Sequence, residues 1–333
     1  MSGLTPRLLA FLFILVVHLP AEAIPTNPAS SPAAGERFTF RSADGILDLS
    51  AACFSVAGPK GIVIMVNGRS ESWLKYIPLC RELNRAGYTV YSYDHRGQGL
   101  SPRLAQGNPQ IGHVDDFKAY ARDLRLLVEE VRRREGHGGI ALLGNSMGAA
   151  VIVDFLSEHP DSGVGKVILC SPMFRIKTSP WPEPVARIVL GTLHLLGKGS
   201  SYAPGEGDAS PAEPFEINRV TSSRERWREI LSFRSRHPEA LTGGASVDWV
   251  LRALDHTARL RKAALRLKNE TLILEAGRDE LVIPFHPASP EAFRAPLIIR
   301  FPEGRHELLM EREPIRSEAL RAILSFLGNR GNP

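Results

Sequence analysis

Residues 144–148 read Gly-Asn-Ser-Met-Gly, and they sit between an apolar run, GIALLG, and a helix-like run, MGAAVIVDFLSEH. A serine where a buried strand turns sharply into a helix is presented at the tip of that turn, and the flanking glycines leave room for the two elements that cross there. The helix behind it aims backbone N–H groups at developing negative charge. Ser146 is therefore the candidate nucleophile. A serine hydroxyl attacks poorly until a base takes its proton. In a strand–serine–helix arrangement of this kind the partners follow in the order acid, then histidine, each just past a strand. TLILEAG is followed by Arg278 and Asp279, and PLIIRF by Pro302-Glu303-Gly304-Arg305-His306. Asp279 and His306 are the candidate acid and base, with the carboxylate orienting one imidazole nitrogen and the other facing Ser146. An imidazole titrating near pH 6.5 suits that work. Other residues fit less well. His286 comes seven residues after Asp279 with no strand between, Asp255 follows no strand, and Glu280 would point elsewhere in the turn.

Acyl transfer also needs two N–H donors for the carbonyl oxygen. Met147, the residue after the nucleophile, supplies one backbone N–H. The loop after the third strand, Asn67-Gly68-Arg69-Ser70-Glu71-Ser72, should supply the other, and with Gly68 allowing the bend the donor is Arg69.

Strands are expected at 37–42, 47–54, 61–66, 88–93, 139–144, 165–170, 271–276 and 296–301. The middle ones are unbroken β-branched and apolar runs, the signature of strands buried on both faces of a parallel sheet. Helices are expected between them at 72–86, 114–134, 147–159 and 314–328. In the second, Phe117, Tyr120, Leu124, Leu127, Val128 and Val131 recur at helical spacing, with acids at its start and arginines at its end. This alternation predicts a doubly wound α/β sheet. From 172 to 265 no strand run is evident. Prolines at 172, 180, 182 and 184 lead to amphipathic stretches at 185–196, 221–236 and 246–265, which read as a helical insertion.

The chain has 333 residues, 43% of them hydrophobic, enough for one large domain with an insertion. A net charge of +5, interspersed with acids, excludes a nucleic-acid partner. Three cysteines make no disulfide framework: Cys170 ends an apolar run as a small buried hydrophobe, and one Cys53–Cys80 bridge stays open. No metal or cofactor is expected. HELLM at 306–310 lacks the second histidine of a zinc helix, and there is no phosphate-binding or dinucleotide glycine loop.

Arg7, the apolar run 8–19, Pro20 and Ala21-Glu22-Ala23 read as an export signal over 1–23, cleaved after Ala23. This twelve-residue run falls short of the roughly 20 apolar residues that span a bilayer, though an uncleaved anchor or a core helix are the alternatives. Residues 24–35, rich in Pro, Ser and Ala, read as a flexible leader. Export to the periplasm or a membrane surface is the expected localisation.

VNGRSESWLKY, YDHRGQGLSPR, GHVDDFKAYARDL, GNSMGAA and GRHELLMER, in that order, resemble the bacterial lysophospholipases and their monoacylglycerol lipase relatives over about 38–328. The resemblance implies the α/β-hydrolase fold: a mostly parallel eight-stranded sheet flanked by helices, its core in two parts (36–171 and 266–333) separated by a helical cap over 172–265 that carries the acyl-chain pocket. It implies the triad Ser146, Asp279 and His306, with Arg69 and Met147 as oxyanion donors, and hydrolysis of an acyl ester in a lysophospholipid or monoacylglycerol. The alternative is a serine hydrolase of other small esters, thioesters or peptides. Asp94, His95 and Arg96 in DHRGQGLS are expected to be structural. Where many relatives carry His-Gly this chain has Asn67-Gly68, which bears on the side chain at 67 but not on the backbone donor. The insertion holds 14 Lys and Arg against 10 Asp and Glu, a net +4. Arg224, Arg226 and Arg228 around Trp227 could face an anionic lipid surface, giving peripheral membrane contact through the cap, or be an ordinary solvated helix face.

Overall fold

A computed structural model describes residues 35–136, 138–285 and 296–329. The expected signal, the leader up to residue 34 and His286 lie outside the described residues. Eight strands form one sheet: β1 (Glu36–Arg41), β2 (Asp48–Phe54), β3 (Gly61–Val66), β4 (Tyr88–Tyr93), β5 (Ile140–Asn145), β6 (Val164–Cys170), β7 (Glu270–Ala276) and β8 (Leu297–Phe301). Each lies within one residue of its expected ends. Their order is β1-β2-β4-β3-β5-β6-β7-β8. The β1–β2 and β2–β4 pairings are antiparallel and the other five are parallel.

Among the described residues seven α-helices accompany the strands: α1 (Ile77–Arg85), α2 (Lys118–Glu135), α3 (Met147–Glu158), α4 (Glu183–Leu195), α5 (Arg224–Arg236), α6 (Val247–Ala264) and α7 (Ile315–Gly328). The sequence of β3, GIVIMV, shows why they take both faces. Side chains alternate across a strand. Ile62, Ile64 and Val66 join one apolar cluster with α2, α3 and α6, whereas Val63 and Met65 join a second with α1 and α7. A strand buried on both sides needs apolar residues throughout, and that is what the run supplies.

The helix expected from 114 starts at Lys118. The Gly112 N–H donates to the Gly244 carbonyl at 2.9 Å, and Gly112 accepts from the Ser246 N–H at 2.8 Å, so the chain is held extended there before it can coil. Cys53, Cys80 and Cys170 are free and buried, with no bridge between the first two.

Within 172–265, α6 packs Trp249, Ala253, Leu260 and Ala264 into the cluster beneath α2 and α3. Its N-terminus is capped by Ser246, which accepts from the Trp249 N–H. α4 rests on α6 through Leu190, against Val247 and Leu254. Val185, Ile188, Leu195 and Leu196 on and just past α4 are exposed. Among the described residues no helix is long and apolar enough to cross a membrane.

Candidate active site

Ser146 sits at the β5–α3 junction with φ 51° and ψ −111°, a left-handed conformation that a non-glycine residue holds only when its surroundings enforce it. The enforcement is visible. The Ser146 N–H donates to the Cys170 carbonyl at 2.9 Å, and its own carbonyl accepts from the Met173 N–H at 3.1 Å, clamping the turn to the end of β6. The two glycines of the motif are sterically required. A Cβ at Gly144 would lie 2.6 Å from the Ala149 nitrogen, and one at Gly148 would lie 2.0 Å from the Val66 carbonyl oxygen. That second contact presses the start of α3 against the end of β3, where the loop carrying Arg69 begins. Neither the Met147 nor the Arg69 backbone N–H donates to a described backbone carbonyl outside helices and strands.

Asp279 and His306 meet although 27 residues separate them: His306 Nδ1 lies 2.7 Å from Asp279 Oδ2. The other carboxylate oxygen accepts from the Leu281 and Val282 N–H groups at 2.8 and 2.9 Å, which fixes its orientation. Burial pushes the Asp279 carboxyl up, but the His306 charge and these hydrogen bonds outweigh it and leave it below its ordinary range. Burial likewise pulls His306 down, and the Asp279 carboxylate, with Glu307 and Glu71 further off, more than reverses this, so its pKa lies above 6.5. Ser146, His306 and Arg69 all line one cavity of about 690 Å³. No hydrogen bond joins the Ser146 hydroxyl to His306 in this structure. Such contacts commonly tighten only around substrate.

The competing residues lie elsewhere. Asp255 is exposed and pairs with Arg187 at 2.5 Å, and Glu280 is exposed. Asp94, His95 and Arg96 are buried outside the cavity. Asp94 accepts from Ser72, from the Trp73 and Leu100 N–H groups and from Asn67, tying the loop after β3 to that after β4. Burial raises its pKa to about 7 and lowers that of His95 to about 4. Arg96 pairs with Asp123 and Asp44. Asn67 is buried and its amide also donates to the Tyr93 carbonyl, so at this position it fixes the loop. On α5, Arg224 pairs with Glu216 and Arg226 with Glu229, whereas Arg228 is exposed with no carboxylate within 4.0 Å among the described residues.

One constellation escaped the sequence reading. Glu71 accepts from the Gly68 N–H, from Tyr76 Oη at 2.7 Å and from Asn145 Nδ2 at 3.3 Å. Lys75 Nζ bridges Glu71 at 2.7 Å and Glu307 at 2.5 Å. Burial disfavours the Lys75 charge, but the two carboxylates outweigh it and hold the ammonium protonated. The network touches the loop of Arg69, the residue before Ser146 and the residue after His306. The i, i+4 spacing of Glu71 and Lys75 was a signal, whereas its closure by Glu307, 232 residues beyond Lys75, was not readable.

The Hydrolase_4 family profile, described as serine aminopeptidase, S33, matches residues 57–313. The chain is 32% identical over 284 residues to lysophospholipase L2 of Escherichia coli K12, covering 82% of each chain. It is 30% identical over 271 residues to the probable lysophospholipase L2 of Haemophilus influenzae, covering 80% of this chain and 83% of that one. A crystal structure of a soluble variant of Saccharomyces cerevisiae monoglyceride lipase with a substrate analog superposes with a TM-score of 0.67 at 16% identity, over 91% of this chain and 99% of that one. At that identity it speaks to the fold alone, which is the α/β-hydrolase fold.

Proposed function

Because the chain belongs to the Hydrolase_4 family of serine hydrolases, to which lysophospholipase L2 is related, we propose that it cleaves the acyl ester of lysophospholipids or monoacylglycerols through an acyl-enzyme on Ser146. Ser146 Oγ attacks the ester carbonyl while His306 Nε2 takes its proton. The Met147 and Arg69 N–H groups hold the oxyanion, each worth on the order of 10²–10³ in rate. His306 then protonates the departing alcohol oxygen, and Asp279 stabilises the imidazolium without itself taking the proton. A water deprotonated by His306 attacks the acyl-enzyme and releases the fatty acid, returning Ser146 to its hydroxyl form.

The observation that carries this reading is the buried Asp279–His306 pair at 2.7 Å opening onto the cavity that Ser146 lines. For the lipid part, the cavity wall from 172–265 supplies Met173, Ile176, Leu190, Ile230, Phe233 and Trp249, a surface suited to an acyl chain. This is the cap role we assign to that segment. The test is a chain-length series of monoacylglycerols, lysophospholipids, short esters and aminoacyl amides, with Ser146→Ala as control. A rise in kcat/KM with acyl length supports the lipid reading. A preference for short esters or for amides with a free α-amine would replace it.

We further propose that the protein is exported and touches membranes peripherally. With Arg224 and Arg226 paired to acids, the exposed Val185, Ile188, Leu195 and Leu196 are the better contact, set beside the cavity wall formed by Trp181, Ala186 and Leu190. Ile188→Ser with Leu195→Ser should weaken sedimentation with vesicles containing anionic phospholipid, and unchanged binding would discard the idea. A mature N-terminus at Ile24 tests export, and an intact Met1 in the protein isolated from its source would count against cleavage.

A further inference from the structure

We propose that Lys177 and Arg219 form a phosphate-binding pair on the alcohol side of the ester, so that the enzyme favours acyl esters whose alcohol carries a phosphate. The proposal rests on the lipid-ester reading above and narrows it.

Among the described residues five Lys and Arg side chains line the cavity: Arg69, Lys75, Lys177, Arg219 and Arg234. Three are neutralised by the four lining carboxylates. Lys75 holds Glu71 and Glu307, Arg234 pairs with Glu213 at 2.5 Å, and Arg69 lies 3.9 Å from Glu206. The other two have no carboxylate within 4.0 Å among the described residues. Lys177 Nζ donates to the Asp279 backbone carbonyl at 2.5 Å, a neutral partner that leaves the ammonium charge uncompensated. The Arg219 guanidinium makes no hydrogen bond or ion pair with any described residue, although it lines the cavity. Both residues are exposed, so these are two solvated cations at the rim of one cleft, open to a phosphate, which accepts several charge-assisted hydrogen bonds at once.

Their places in the chain put them on the side where the alcohol departs. The segment bearing Lys177 pairs with the one that follows Asp279: Ile176 bridges Val282, and the Lys177 N–H donates to the Leu281 carbonyl at 2.8 Å. The neighbours of Arg219 are tied to the residues flanking His306. Arg305 Nη1 donates to the Asn218 carbonyl at 2.8 Å, and the Glu307 N–H donates to the Val220 carbonyl at 2.9 Å. One cation therefore stands beside the acid and the other beside the base. Since His306 must protonate the leaving oxygen, the alcohol lies on its side of the ester. A phosphate on a glycerol alcohol sits a few bonds from that oxygen, within the zone these two residues flank.

The test compares a lysophosphatidylethanolamine and a monoacylglycerol of the same acyl chain, presented in the same detergent micelles. In Arg219→Gln, and separately in Lys177→Met, the ratio of their kcat/KM values should fall about 10-fold or more, the scale of a lost charged hydrogen bond. Arg219→Lys should keep most of it. sn-Glycerol 3-phosphate should inhibit monoacylglycerol hydrolysis by the wild type more strongly than glycerol does, and Arg219→Gln should remove the difference. A ratio unchanged in both variants, with monoacylglycerol still cleaved, overturns the phosphate pair and leaves the lipid reading intact. Inhibition by glycerol 3-phosphate without any change in ratio also overturns it, as a site for free phosphoesters only. If the wild type cleaves neither lipid, the lipid-ester reading falls and takes this proposal with it.

Discussion

Gly148→Ala is the smallest change that should dismantle the site. The added Cβ would lie 2.0 Å from the Val66 carbonyl oxygen and 2.6 Å from both the Val66 carbonyl carbon and the Asn67 carbonyl oxygen. All three are backbone atoms, so no rotamer change relieves the clash, and the start of α3 must retreat from β3 by more than about 1 Å to regain an ordinary contact. Two effects follow. Overpacking of this kind costs about 1–3 kcal/mol of stability, which for a chain of this length lowers Tm by a few degrees. The retreat also parts the Met147 N–H from the Arg69 N–H, and a misplacement near 1 Å costs about 10² in rate, rising to about 10³ if one oxyanion donor is lost outright. Gly191→Ala is the control. It lies inside α4 with nothing within 4 Å of its would-be Cβ, so it should raise stability by about 0.5–1 kcal/mol with turnover unchanged. The assay is kcat on a soluble nitrophenyl ester together with thermal melting of each variant. Wild-type turnover and melting in Gly148→Ala would refute the claim that this turn aligns the donors.

Asp279→Asn should keep the fold near the site yet lower kcat about 10⁴-fold, because the imidazole loses its orienting carboxylate. The raised pKa of His306 sets the pH profile: the base works only when neutral, so kcat/KM should rise with pH through a midpoint above 6.5, and Asp279→Asn should move that midpoint down. The same pair should stabilise the fold between the two titrations. Its contribution is lost as pH falls through the depressed pKa of Asp279, and again as pH rises through the raised pKa of His306. Glu71→Gln should lower stability by about 1–3 kcal/mol and reduce kcat more than it raises KM, since Glu71 holds the Gly68 N–H in the loop of Arg69, and melting curves with steady-state kinetics read both.

The central strands were legible because each is a run suited to burial on both faces, whereas β1 and β8 at the sheet edges are partly exposed. GIVIMV at β3 has no polar face for solvent, and GIALLG at β5 ends at a motif that explains its own turn. The pairing of Asp279 with His306 was legible for a related reason: each follows a strand run, and parallel neighbours β7 and β8 bring their ends side by side. Contacts that no periodicity encodes were hidden. The Lys75 bridge between Glu71 and Glu307 depends on two loops meeting across the top of the sheet. The late start of α2 depends on Gly112 being held by Gly244 and Ser246 of the insertion. The pairing of Arg224 on α5 with Glu216, eight residues earlier in the preceding segment, is likewise a contact that no periodicity encodes.

The most direct test is to locate the modified residue after treatment with a fluorophosphonate, which reacts only with a serine whose proton has a ready acceptor. Peptide mass mapping should find the adduct on Ser146, and labelling should vanish in Ser146→Ala and fall steeply in His306→Ala. An active preparation labelled on a different serine, or one that keeps its turnover once Ser146 is replaced, would contradict the assignment of Ser146 as the nucleophile.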